Sequence, residues 1–185
     1  MKKFFVVASV AMFAACNSPE PAKTVATEPA AATDSTAQQD ITSPYPINYS
    51  SKFVMGDAKN AENLLTLWKD WDNGSLSTHK DIFADSLEMH FADGSMMKAG
   101  RDSVIAAAQM YRNTFASAVS SVDAIMAVKS TDKNENWALI WGKEIDTNKK
   151  GKIDSFYLQE TWRFNNGGKA DLMYQFKQGA APPKK

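Results

Sequence analysis

The sequence predicts an α+β fold, with helices packed on one face of a curved, antiparallel or mixed sheet. Three observations carry this. Two segments early in the structured part repeat their apolar residues at helical spacing. Four long strand-like segments then follow one another to the C-terminus. The clusters "STDKNEN", "TNKKGK" and "NNGGK" separate those strands and supply Asn and Gly residues that tolerate positive φ. Helices first and a run of strands after is the α+β order.

The 185-residue chain opens with Met1-Lys2-Lys3, an uncharged run from Phe4 to Phe13, and the small pair Ala14-Ala15. That is the layout of a secretory signal peptide over residues 1–15. The apolar run is too short for a membrane span, which needs roughly 20 apolar residues. Phe13-Ala14-Ala15-Cys16 resembles the lipobox of bacterial lipoproteins, with phenylalanine where leucine is commoner. The resemblance implies cleavage before Cys16 and lipidation of its thiol, anchoring the protein to the bacterial envelope, most simply the outer membrane. Cys16 is the single cysteine, so no disulfide is expected and the domain must be held by its core. Without residues 1–15 the chain keeps 19 basic against 21 acidic side chains, a formal charge of −2. No basic stripe stands out, which argues against nucleic acid as a partner.

Residues 16–46 follow as a tether: five prolines, many small residues and no aromatic before Tyr45. Such a segment buries too little apolar surface to offset its ordering entropy. All seven prolines lie outside 47–181 and all five tryptophans inside it, which marks one domain over 47–179 and a tail over 180–185.

Within the domain "DAKNAENLLTLWKDWDNG" is a helix. Ala61, Leu64, Trp68 and Trp71 share a face with Leu65, and Gly74 ends it. "STHKDIFADS" reads as a second, shorter helical piece. In "LEMHFADG", Leu87, Met89 and Phe91 alternate with Glu88 and His90, a half-buried strand closed by an Asp93-Gly94 turn. "GRDSVIAAAQMYRNTFAS" is the clearest helix, with Asp102 as its cap and a stripe of Val104, Ala108, Tyr111 and Phe115. The four strands are expected over 119–129, 136–146, 152–165 and 169–177.

The stretches "WKDWDNGSLSTHKDIFADSLEMHFADG", "AGRDSVIAAA" and "LQETWRFNNGGKADLMYQF", in that order, resemble the SnoaL-like branch of the nuclear transport factor 2-like superfamily over residues 57–178. The resemblance implies a cone, a strongly bent sheet wrapped around the N-terminal helices with an interior pocket. It also implies that two copies could pair as a homodimer through the outer sheet face. That cone serves isomerases, dehydratases, cyclases, hydrolases and binding proteins, so the fold alone does not choose the function. Steroid isomerases of the superfamily use a helix tyrosine, a strand-end aspartate base and a later acid. Those positions fall on Leu67, Phe91 and Glu160. Phe91 cannot abstract a proton, so that chemistry is excluded.

His79 and His90 have no partner at metal-ligand spacing, and no metal site is expected. "DTNKKGKIDSFY" begins like a calcium loop at Asp146, Asn148 and Gly151 but places Tyr157 where a bidentate glutamate is needed, so it reads as a hairpin turn. No phosphate loop, dinucleotide fingerprint or Gly-x-Ser-x-Gly elbow calls for a cofactor or names a catalytic residue. Trp68, Phe91, Trp141, Phe156, Leu158, Trp162 and Met173 are candidate pocket walls. Glu160 is the charged intruder on the apolar face Phe156-Leu158-Trp162-Phe164. Desolvation there disfavours its carboxylate unless several donors reach it, and Trp141 or Trp137 on the next strand are the expected donors. Two functions remain: a lipid-tethered module binding a small apolar or amphipathic ligand or a partner protein, and a pocket enzyme of isomerase, dehydratase or hydrolase type using Glu160 as acid or base.

Overall fold

The computed structural model describes residues 41–178, and among them the first regular element begins at Phe53. The signal peptide, Cys16, the tether up to residue 40 and the tail from residue 179 lie outside the described residues. Strand β1 (Phe53–Met55) leads into helix α1 (Ala58–Asn73). Asp57 caps α1 by accepting the Lys59 N–H at 2.9 Å. Gly74 ends it at φ 69°, where its N–H reaches the Asp70 and Trp71 carbonyls. The buried face of α1 is Asn60, Leu64, Leu67, Trp68 and Asp70. Leu65, expected inside, is turned outward, because Leu67 takes the core-facing place beside Trp68.

"STHKDIFADS" is not a helix. Only Lys80–Ile82 form a 3₁₀ turn, and "FADS" opens strand β2 (Phe83–His90). Pairing decides this: Phe83 lies opposite Ala170 and Ser86 opposite Gly100. Local helix propensity yields to two neighbouring strands. Strand β3 (Met96–Gly100), unforeseen in the sequence, folds back on β2 across the turn at Asp93-Gly94, where Asp93 accepts the Ser95 N–H. Helix α2 (Arg101–Arg112) has Gly100 at its N-cap; Asp102 stands in the first turn and caps nothing. It stops five residues short of the expected end, since Asn113 closes it and Phe115 already pairs with Asn148. Of the expected stripe, Val104 is buried and Tyr111 is exposed.

The long strands are β4 (Phe115–Ser130), β5 (Glu135–Asn148), β6 (Ile153–Phe164) and β7 (Ala170–Lys177). The sheet runs β1-β4-β5-β6-β7-β2-β3, antiparallel throughout except that β2 and β7 are parallel. A bulge between Val122 and Ala124 bends β4 opposite Gly142. At Gly142 a Cβ would lie 2.3 Å from the Ser121 carbonyl oxygen and 2.8 Å from the Trp68 ring. The missing side chain lets α1 lie against the concave face. There Leu64, Trp68, Ile140, Trp162, Phe164 and Met173 form the core.

Candidate functional site

Alternation along the strands decides what faces the cone. On β5 the inward positions are Ala138, Ile140, Gly142, Glu144 and Asp146, buried, while Trp141 and Ile145 face out. On β6 they are Phe156, Leu158, Glu160, Trp162 and Phe164, and on β7 Met173, Gln175 and Lys177. Together with the second half of α1 and the inner side of α2 they enclose a cavity of about 500 Å³. Trp68, Phe91, Phe156, Leu158, Glu160, Trp162 and Met173 all line it, as do Leu67 and Phe83. Trp141 does not. It sits one residue off the inward register, 36 % exposed on the convex face near Tyr157 and Phe176.

Glu160 is buried and saturated with donors. Its Oε2 accepts the indole N–H of Trp68 at 2.8 Å and of Trp162 at 2.9 Å, and its Oε1 accepts the Gln175 amide at 2.9 Å. The donors are thus not Trp137 or Trp141. Glu160 lies directly opposite Ile140, so those two tryptophans point to the other face, where Trp137 donates to the Tyr49 hydroxyl. The carboxylate ties α1, β6 and β7 together at the wall of the cavity.

A second carboxyl pair shares the cavity. Glu144 and Asp146 are successive inward residues of β5. The Trp71 indole donates to Glu144 Oε1 at 2.7 Å. Burial first, then the hydrogen bond and charge of Asp146, push Glu144 up to about 8. Burial also raises Asp146, against the bond from Glu144 and the charges of Arg112 and Lys177. The arrangement is one proton held between two carboxyls. Asp146 is 4 % exposed, and its Oδ1 has no hydrogen-bond partner. Reading 146–157 as a hairpin turn hid this pair. The turn is real, with Asn148 accepting the Lys150 and Lys152 N–H groups, but Asp146 belongs to the strand before it. The signal was available: the inward face of 136–146 ends in two acids, as that of β6 carries one.

Other titratable groups are engaged elsewhere. His79 Nδ1 lies 2.9 Å from the buried Asp70 carboxylate, and His90 bonds Glu88 at 2.8 Å and stacks on Tyr174. Among the described residues no group of three or more His, Cys, Asp or Glu is placed to hold a metal ion.

No protein-family model and no curated protein matches the sequence. Solved structures match the fold. An NTF2-like protein of unknown function from Exiguobacterium sp. 255-15 is 11 % identical with a TM-score of 0.53, over 64 % of this chain and 99 % of its own. An LEH-like epoxide hydrolase of M. tuberculosis is 10 % identical with a TM-score of 0.54, over 65 % and 84 %. IdmH, a putative polyketide cyclase from Streptomyces antibioticus, is 12 % identical with a TM-score of 0.51, over 65 % and 92 %. At such identities the likeness extends to architecture alone. The seven-stranded curved sheet closed over two helices is the NTF2-like cone.

Proposed function

We propose that this chain is an exported lipoprotein, held to the bacterial cell envelope through Cys16, whose cone binds a small apolar or amphipathic ligand. The cavity of about 500 Å³ carries the binding reading, because its walls are aromatic and aliphatic with a few buried polar groups. A core packed for stability alone leaves few voids larger than a water molecule. The enzyme alternative places an acid or base at Glu160. Three N–H donors already occupy that carboxylate, which favours a positioning role for it. The epoxide hydrolase and the putative polyketide cyclase share the fold at 10 % and 12 % identity, which carries no reaction over to this chain.

Binding is tested with a neutral apolar dye such as Nile red. Its fluorescence should rise with the parent protein and not with Leu158→Trp, which fills the cavity. Equal enhancement by both proteins would count against an interior site. The anchor is tested by Cys16→Ser, which should release the protein from membranes or stall its precursor. Unchanged membrane fractionation and cleavage would remove it. The basis for the anchor is the basic, apolar and small-residue order ahead of the single cysteine.

A further inference from the structure

Charge is distributed unevenly around the cavity. Asp70, Asp93, Glu144, Asp146 and Glu160 line it, and Lys177 is the one cation among the lining residues. Three of the five acids are committed: Asp70 to His79, Asp93 to Ser95, and Glu160 to its three N–H donors. Glu144 and Asp146 are left with the Trp71 indole and each other. Among the described residues no lysine, arginine or histidine nitrogen lies within ion-pair distance of Glu144, Asp146 or Glu160. The two nearby cations have other partners. Arg112 donates to the Trp71 and Asp72 carbonyls at 2.6 and 2.9 Å. Lys177 Nζ sits 3.4 Å from the Phe156 ring centroid and 3.8 Å from Asp154.

Resting on the ligand-binding reading above, we propose that the cavity recognises an organic cation: an apolar body carrying a protonated or quaternary amine, seated against the Glu144–Asp146 pair. Asp146 lines the cavity, and its Oδ1, occluded just behind that lining, has no hydrogen-bond partner; this unmet acceptor is the observation that asks for a ligand there. A buried carboxylate oxygen without a donor is costly, and a ligand cation beside the pair relieves it. An anionic ligand would meet carboxyls of its own sign. The Arg112 guanidinium already lies 6.0 Å from the Trp71 ring, and Tyr111, its centroid 6.1 Å from that of Trp71, adds a further ring face to which a cation is drawn.

The reading predicts a proton-linked event. Glu144 faces Asp146, Trp71 and Glu160, while Asp146 also feels Arg112, Lys177 and Asp154. Glu144 holds a proton up to about 8, so an incoming positive charge at neutral pH displaces it. Three probes of similar size separate charge from shape in titration calorimetry on the full chain: benzyltrimethylammonium, 2-phenylethanol and phenylacetate. The quaternary cation has no proton of its own, so any proton released comes from the protein. We expect it to bind roughly tenfold or more tighter than the alcohol, with phenylacetate silent. Its heat at neutral pH should also vary with the ionisation enthalpy of the buffer. Asp146→Asn should weaken the cation about tenfold and leave the alcohol unchanged, which shows that the variant remains folded. Glu144→Gln should abolish the buffer dependence. Alcohol or phenylacetate binding as tightly as the cation would overturn the charge inference and leave the ligand-binding reading standing. Silence from all three probes would overturn it too, and only if Nile red also fails does the ligand-binding reading fall with it.

Discussion

Glu160 satisfies three N–H groups with two oxygens, which makes its replacement informative. Glu160→Leu leaves two indoles and an amide without acceptors in a buried place, and should cost about 3 kcal/mol or more in denaturant unfolding. Glu160→Gln keeps an oxygen for the tryptophans, and Gln175 can turn its own amide to accept, so the loss should stay near 1 kcal/mol. Equal losses for the two variants would contradict the hydrogen-bonded role. At Glu144 the test is pH. Its folded value of about 8 exceeds the ordinary 4.5, so between those values the folded protein holds a proton that the unfolded chain has released. Stability should therefore fall as pH rises through that window, by on the order of a few kcal/mol, and level off above it. Asp146, raised from 3.8, acts in the same direction. The carboxyls whose values are lowered, Glu88, Asp93 and Asp132, act only below the window. Glu144→Gln should flatten the slope in urea titrations. Stability that climbs across the window would show that the pair is not protonated.

Gly142 decides how closely helix α1 meets the sheet. Gly142→Ala drives a methyl group into the Ser121 carbonyl and the Trp68 ring, and should lower stability by about 1–3 kcal/mol. A thermal midpoint equal to the parent's would mean that β4 and Trp68 can move aside. At this scale the sequence was legible where a pattern is long. The first helix and all four long strands could be read from periodicity and turn residues. Three-residue β1 and five-residue β3 have too few residues to show a period, and their pairing partners lie far off in sequence. "FADS" was misread for a related reason: its strand character comes from β7 and β3, not from its own composition. Glu160 could be singled out because one charge breaks an otherwise apolar alternation. Its donors could not, because Trp68 reaches it from a helix 92 residues away and sequence register sees only neighbouring strands.

The whole domain holds together through one core between α1 and the concave face of the sheet. A protein starting near residue 45 should unfold cooperatively, and chelators should leave its melting midpoint unchanged. A midpoint that depends on added calcium would break this expectation. The placement of β1 has a mechanical meaning. Phe53 to Met55 pair with Ser130 to Val128, at the end of β4 opposite the one that carries Ser120 and faces Glu144. Just upstream, Tyr49 takes the Trp137 indole N–H and bonds Glu135 on the same end of β5. A pull arriving along the chain from upstream is therefore borne first by Tyr49, Trp137 and a three-residue ladder. The strand ends that carry Glu144, Phe156 and Lys177 lie off that line of force. The domain can be tugged by its blunt end while the cavity keeps its shape.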